Sequence, residues 1–93
     1  MTVLAVVSLR ITNPESLESY RGKAADALAR HGGTVVEASR ELTVLEGHPV
    51  VPDALAIVQF PDRDAAQAWI GDPELADIHA LRRGSGSSEI ILM

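Results

Sequence analysis

The chain has 93 residues, which is enough for one domain and leaves no material for a second core. It is 46% hydrophobic and 23% charged, a balance typical of folded globular proteins that excludes intrinsic disorder. Thirteen acidic side chains outnumber eight basic ones, so neither nucleic acid nor an anionic membrane is expected as a partner.

The first predicted elements are a strand and a long helix. Thr2 to Ile11 is β-branched and aliphatic, which predicts a strand. Asn13-Pro14-Glu15 predicts a helix start, because asparagine caps helices and proline suits the first helical position. Apolar residues then recur at helical spacing as far as His31, and Gly32-Gly33 predicts the end of the helix.

Strands are predicted in the middle of the chain. Thr34 to Ser39 and Ala54 to Phe60 are strand-like, and a short extra strand is predicted from Leu42 to Glu46. Pro61-Asp62 then predicts the cap of a second helix from Arg63 to Ile70.

The last third of the chain contains another helix start and a final strand. Asp72-Pro73 predicts a short third helix that carries His79 and Arg82 on one side. Gly84 to Ser88 is interpreted as a flexible link, and Glu89 to Met93 as the closing strand. The order β-α-β-β-α-β predicts one α+β domain over residues 1–93, with a ferredoxin-like, four-stranded antiparallel sheet and helices on one face.

The predicted strands are apolar on both faces. In the first strand Val3, Ala5, Val7 and Leu9 share one face, while the other face carries Leu4 and Val6. A sheet covered on one face only should alternate apolar and polar residues. Each aliphatic side chain left in water forfeits roughly 1.5–3 kcal/mol. The pattern therefore predicts a homodimer in which a second copy covers the exposed face.

A series of short motifs in a fixed order resembles the DUF1330 family over nearly the whole chain. They are Tyr20-Arg21, His31-Gly32-Gly33, Val44-Leu45-Glu46-Gly47, Gln59-Phe60-Pro61, Ala66-Gln67-Ala68-Trp69, Asp72-Pro73-Glu74-Leu75 and Leu81-Arg82. The resemblance implies a dimeric α+β barrel, a superfamily that includes cofactor-independent monooxygenases, isomerases and ligand-sensing modules. The chain departs from the family pattern at Asp72 and Leu75, and at His48-Pro49, all of which are expected near a pocket rim.

Several kinds of site are not expected. The chain has no cysteine, which excludes disulfides and thiolate nucleophiles. His31, His48 and His79 show no metal-ligand spacing, so no metal and no cofactor is predicted. The longest apolar stretch, Val3 to Leu9, is too short to cross a bilayer and lacks the features of a signal peptide, which predicts a cytoplasmic protein.

Six residues are predicted to surround a ligand pocket between the helices and the sheet. His79 and Arg82 are the catalytic candidates, His79 as an acid or base and Arg82 as a clamp for a developing oxyanion. The substrate-binding candidates are Tyr20, His31, Gln59 and Trp69. Four of the six also have a structural interpretation: Trp69 as core, Tyr20 as a boundary residue, His31 as a helix-end charge and Arg82 as an ion-pair partner.

Two functions remain open from the sequence. The first is a small cofactor-independent enzyme that acts on an organic molecule by proton transfer, cyclisation or monooxygenation. The alternative is a non-catalytic dimeric module that binds or senses a small molecule. The polar residues in an otherwise apolar pocket favour the enzyme, and the lack of a strong catalytic motif favours the binding module.

Overall fold

A computed structural model describes residues 2–93 and has one antiparallel sheet with its helices on one side. The strands are β1 (Val3–Ile11), β2 (Thr34–Ser39), β3 (Ala54–Phe60) and β4 (Gly86–Leu92). Their order in the sheet is β2-β3-β1-β4. The helices are α1 (Pro14–Ala29), α2 (Arg63–Gly71) and α3 (Ala76–Gly84), and a 3₁₀ turn (Pro73–Leu75) leads into α3. The predicted ferredoxin-like, four-stranded antiparallel sheet is confirmed.

Local sequence signals fix the ends of the helices. The Asn13 side chain accepts a hydrogen bond from the Ser16 N–H at 3.2 Å, and Asp62 accepts one from the Ala65 N–H at 2.8 Å. Each bond satisfies one N–H that a helix start leaves without a backbone partner. Gly32 follows α1 with a φ of 73°, a left-handed conformation that glycine adopts without strain.

The core lies between the helices and one face of the sheet. On β1 the side chains of Ala5, Val7 and Leu9 are buried on this face, and on β3 those of Val58 and Phe60. The helical turns and helices contribute Leu17, Ala27, Leu28, Ala66, Trp69 and Leu75. Phe60 is 1% exposed and packs on Trp69 with ring centroids 5.5 Å apart, so this face is closed to solvent at its centre.

The opposite side of the sheet, called here the open face, carries an apolar patch that no helix of the subunit covers. Its apolar side chains are Leu4, Val6, Leu55, Ile57, Ile91 and Met93. Val6 pairs with Ile57 on one side and with Ile91 on the other, so the apolar residues are contiguous across three strands. Ile91 is 68% exposed and Met93 is 61% exposed.

Two local predictions are wrong. Residues 42–46 form no strand, because they pair with neither of the two edge strands of the sheet, β2 and β4. The chain from 40 to 53 is instead a long loop with exposed apolar residues. Gly84 to Ser88 is not a flexible link: Gly84 ends α3, and β4 begins at Gly86. Gly86 pairs with Ile11 at a φ of 154°, and any Cβ there would overlap the Arg10 carbonyl oxygen.

Candidate functional site

Four of the six predicted site residues meet in one buried cluster between α1, α2, α3 and β4. We call this the Arg82 cluster; it consists of Tyr20, Trp69, His79, Arg82 and Ser88. His79 is 2% exposed and Arg82 is 1% exposed, which makes them two of the most completely buried side chains in the described chain. Burial this deep of a cation and an imidazole requires specific partners.

The hydrogen bonds of His79 define its protonation state. Nη1 of Arg82 donates to Nδ1 of His79 at 2.8 Å, and a guanidinium can only donate, so Nδ1 carries no proton. Nε2 therefore carries the proton and donates it to the carbonyl oxygen of Trp69 at 2.8 Å. His79 is the neutral Nε2–H tautomer, with both ring nitrogens engaged.

The electrostatic surroundings favour the same state. Burial lowers the pKa of His79 below its ordinary value, and the neighbouring charge of Arg82 lowers it further, while the hydrogen bond to the Trp69 carbonyl opposes the shift. The indole of Trp69 meets the imidazole edge-on, with centroids 4.8 Å apart, and holds the ring in place. In this arrangement His79 is an acceptor for Arg82 and not a free acid or base.

Arg82 is a buried cation without an acidic partner. Its Nε donates to the hydroxyl of Ser88 at 3.1 Å and its Nη1 to His79, and both acceptors are neutral. Its Cζ lies 5.1 Å from the ring centroid of Trp69 and 5.6 Å from that of Tyr20. The aromatic faces stabilise the charge in part. Across residues 2–93, no carboxylate lies within 4.0 Å of Arg82.

Trp69 adds a second unsatisfied group to the cluster. The residue is 3% exposed, yet its indole N–H has no hydrogen-bond partner; among the described residues it is the one buried side-chain nitrogen or oxygen in this condition. A buried donor without an acceptor costs about 1–3 kcal/mol. The cluster thus contains a cation without an anion beside a donor without an acceptor.

The other two predicted site residues lie elsewhere. Nε2 of His31 and Oδ2 of Asp72 lie 2.9 Å apart, and this bond joins the end of α1 to the turn before α3. The hydrogen bond from His31 is the main cause that lowers the pKa of the Asp72 carboxyl below its ordinary value. Gln59 pairs with Leu4 on the open face, on the far side of the sheet from Arg82. The structure therefore does not bring His31 or Gln59 together with the Arg82 cluster.

An apolar cleft lies between α1 and the sheet, and its lining contains none of the Arg82 cluster residues. It has a volume of about 200 Å³, and its walls include the buried side chains of Val7, Leu9 and Leu17. Leu9 pairs with Ser88 of the cluster, and Leu17 lies one helical turn before Tyr20. We call this the arginine cleft, because exposed Arg21 and Arg40 also line it. Neither arginine was among the predicted site residues.

Sequence reasoning had little chance to find these two arginines. Arg21 is one of several charged residues on α1, and Arg40 follows β2 at the start of the long loop. Only the packing of α1 across β1, β2 and β3 brings them to one cleft. The motif Tyr20-Arg21 in the family resemblance was the one available signal, and it did not indicate a role for the arginine.

Over residues 2–93, no three histidine, cysteine, aspartate or glutamate side chains are grouped so that they could hold a metal ion. None of the helices in the described chain combines the length and the apolar character that crossing a bilayer requires.

The strand order and the single helical layer define a ferredoxin-like α+β fold. A family model described as domain of unknown function DUF1330 matches residues 2–93. The chain therefore belongs to the DUF1330 family. No curated protein matches the sequence.

Solved structures share the fold at low sequence identity. A protein of unknown function from Rhodopseudomonas palustris has a TM-score of 0.76 and 20% identity, over 99% of this chain and 80% of its own. SnoaB, a cofactor-independent oxygenase from Streptomyces nogalater, has a TM-score of 0.62 and 22% identity, over 99% of this chain and 88% of its own. A dimeric ferredoxin-like protein of unknown function from Thermobifida fusca has a TM-score of 0.66 and 12% identity, over 100% of this chain and 90% of its own.

Proposed function

We propose that the protein is a homodimer in which each subunit binds a small organic molecule that presents an anionic oxygen to Arg82. The observation that carries the proposal is the burial of the Arg82 guanidinium without a carboxylate partner. A buried charge is stable only when it is paired, and a bound carboxylate, enolate or phenolate would pair it. The unpartnered indole N–H of Trp69 is a further donor in the same cluster.

The arginine cleft gives such a molecule a way in. Its wall residues Leu9 and Leu17 adjoin the cluster through Ser88 and Tyr20, and its interior is mainly apolar. Because Arg82 is 1% exposed and both leucines are buried, the proposal requires these two leucine side chains to move when a ligand passes from the cleft to Arg82. The cleft opens on the helix side of the sheet, opposite the open face. A second subunit packed on the open face would therefore leave the cleft accessible.

The homodimer is supported by the open face. Apolar side chains continue across three strands there, and a contiguous apolar patch of this kind is characteristic of protein–protein interfaces. The Thermobifida fusca structure is itself described as dimeric. Two copies packed sheet to sheet would cover both open faces and form the α+β barrel.

Binding can be tested with acetylacetone, a small apolar molecule that forms an enolate. We expect it to raise the melting temperature of the wild-type protein and of Arg83→Gln, in which the neighbouring exposed arginine is changed. Arg82→Gln should lose this response. Arg82→Lys keeps the charge but loses the planar array of donors, and should respond weakly. An undiminished response in Arg82→Gln, with its fold confirmed by circular dichroism, would contradict the proposal.

A second candidate function is cofactor-independent enzyme chemistry, with His79 as the base. The observation that favours it is the bond from Nη1 of Arg82 to Nδ1 of His79. If a ligand oxygen takes over the Arg82 donor, Nδ1 regains its lone pair beside the bound molecule. A carbon acid could then pass a proton to Nδ1, leaving an enolate on Arg82. The fold similarity to the oxygenase SnoaB is compatible with such chemistry.

Hydrogen exchange on the same probe tests this step. In deuterated buffer the wild-type protein should accelerate exchange at the central carbon of acetylacetone, as observed by NMR. His79→Gln should abolish the acceleration, and His48→Gln, which changes a histidine in the exposed loop, should retain it. Equal exchange with and without protein would reject the enzyme and leave binding as the function.

A further inference from the structure

The lining of the arginine cleft is cationic in a chain that is acidic as a whole. Of its ten lining residues two are arginines and none is acidic, whereas the full sequence has thirteen acidic and eight basic residues. The lining consists of Val7, Leu9, Leu17, Ala38, Ser39, Ala54, Leu55 and Ala56 together with Arg21 and Arg40. A local reversal of the overall charge inside an apolar cleft indicates selection for a negative ligand.

The arginine cleft has an apolar floor and a charged rim. Val7, Leu9 and Leu17 are buried and form the floor, while Arg21 and Arg40 are exposed and lie at the rim. Across the part of the chain that the structure describes, neither arginine has a carboxylate within ion-pair distance. Arg30, by comparison, pairs with Glu74 at 2.7 Å. Both rim guanidinium groups can therefore donate to a ligand.

The volume limits the size of that ligand. A cavity of about 150 Å³ lined by aliphatic and aromatic side chains binds benzene. At about 200 Å³, the cleft has room for one aromatic ring or a short branched chain together with a carboxylate. We propose that the arginine cleft recognises small apolar monocarboxylates, with the carboxylate held by Arg21 and Arg40 and the apolar part on the aliphatic floor. This inference goes beyond the proposed function, because it assigns the carboxylate to the rim arginines and does not depend on whether Arg82 binds an anionic oxygen.

Benzoate is the probe for this site, with benzyl alcohol and inorganic phosphate as matched alternatives. Isothermal titration should show saturable binding of benzoate to the wild-type protein and much weaker binding of either alternative. Arg21→Gln and Arg40→Gln should each weaken benzoate binding about tenfold, and Arg83→Gln should leave it unchanged. Because the rim arginines are exposed, added salt should also weaken the interaction.

The variants separate this inference from the proposed function. If Arg21→Gln and Arg40→Gln bind benzoate as the wild type does, the rim is only a solvated surface and the inference is overturned. Binding of phosphate as tight as that of benzoate would overturn it too, because the aliphatic floor would then contribute nothing. If the rim variants weaken benzoate binding while Arg82→Gln leaves the acetylacetone response intact, the inference stands and the role of Arg82 falls.

Discussion

On one side of β1, Ala5, Val7 and Leu9 are buried beneath the helices, and on the other side Leu4 and Val6 belong to the open face. The two sides are chemically alike, but the fold of one chain covers only the first. The helix side contains the aromatic residues, the buried arginine and the cleft, whereas the open face carries the aliphatic patch with polar residues such as Ser8, Arg10 and Glu89 beside it. In the proposed homodimer, similar hydrophobicity serves two purposes: to build a core around the candidate site, and to offer a surface to a second copy.

The polar residues of the two faces also differ in their surroundings. Arg82 on the helix side is enclosed by Tyr20 and Trp69, so its charge needs a partner from the protein or from a ligand. Gln59 on the open face is partly exposed near the edge of the apolar area and can bond to water. Only the helix side concentrates unsatisfied polar groups in a closed space.

The largest effect is expected for a cavity on the helix side. Phe60→Ala removes a ring that is 1% exposed and packs on Trp69, and it should lower the free energy of unfolding by about 3–5 kcal/mol. Gln59→Ala, one residue earlier on the opposite face, should cost far less. Urea unfolding of both variants at one protein concentration measures the difference. Equal losses would mean that the two faces contribute equally to the fold.

A charge on the open face should separate the subunits. Ile57→Asp would bury a carboxylate at the centre of the interface and weaken dimerisation by about 3 kcal/mol, or roughly a hundredfold in Kd. Light scattering after gel filtration should report a folded monomer. Ile70→Asp makes the same change at the end of α2, on the helix side of the sheet, where the residue is 40% exposed, and should leave the mass unchanged. A dimeric Ile57→Asp protein would show that the subunits associate elsewhere.

The buried histidine should make stability depend on pH in a defined direction. Because burial lowers the pKa of His79 in the folded state, the unfolded chain binds its proton first as pH falls below about 6.5. The His79 contribution to stability is therefore complete above that pH and decreases as pH falls from there towards the folded-state pKa. His79→Gln should flatten this part of a thermal-melting profile. His48→Gln should not; the same flattening in both variants would contradict the assignment.

The smallest loss of stability is expected for a change in the N-terminal cap of α2, the helix that carries Trp69. Asp62→Ala removes the acceptor for the Ala65 N–H and should cost about 1 kcal/mol of folding stability. Asp64→Ala, a neighbouring acid without this capping bond, is the control. Chemical denaturation can resolve the two. A larger loss in the control would mean that charge near the helix start matters more than the cap.

The sequence predicted those features whose causes are local. Caps such as Asn13 and Asp62 act within one helical turn, so the starts of α1 and α2 were visible in the residues themselves. Gly86 was misread as a sign of flexibility, because the close approach of the Arg10 carbonyl comes from a distant strand. The 42–46 segment has strand-forming residues, but it lies in the long loop and pairs with neither edge strand, which the residues of the segment alone do not reveal.

The site was predictable to the extent that helical spacing defines it. His79 and Arg82 are three residues apart, so they were predicted to share one helix face. In the structure a direct hydrogen bond joins them. The second hydrogen bond of His79, from Nε2 to the Trp69 carbonyl oxygen, joins two helices, and no spacing rule predicts it. Gln59 was assigned to the wrong side for the pocket, because strand alternation cannot tell inside from outside when both faces are apolar.

Sedimentation velocity of the wild-type chain over a dilution series tests most directly whether the open face is covered by a second subunit. We predict one species of about twice the 9.9 kDa chain mass that persists on dilution. A folded species of 9.9 kDa at every concentration would mean that the apolar side of the sheet is stable in water. It would contradict the claim that one face of the sheet forms the core and the other forms a dimer interface.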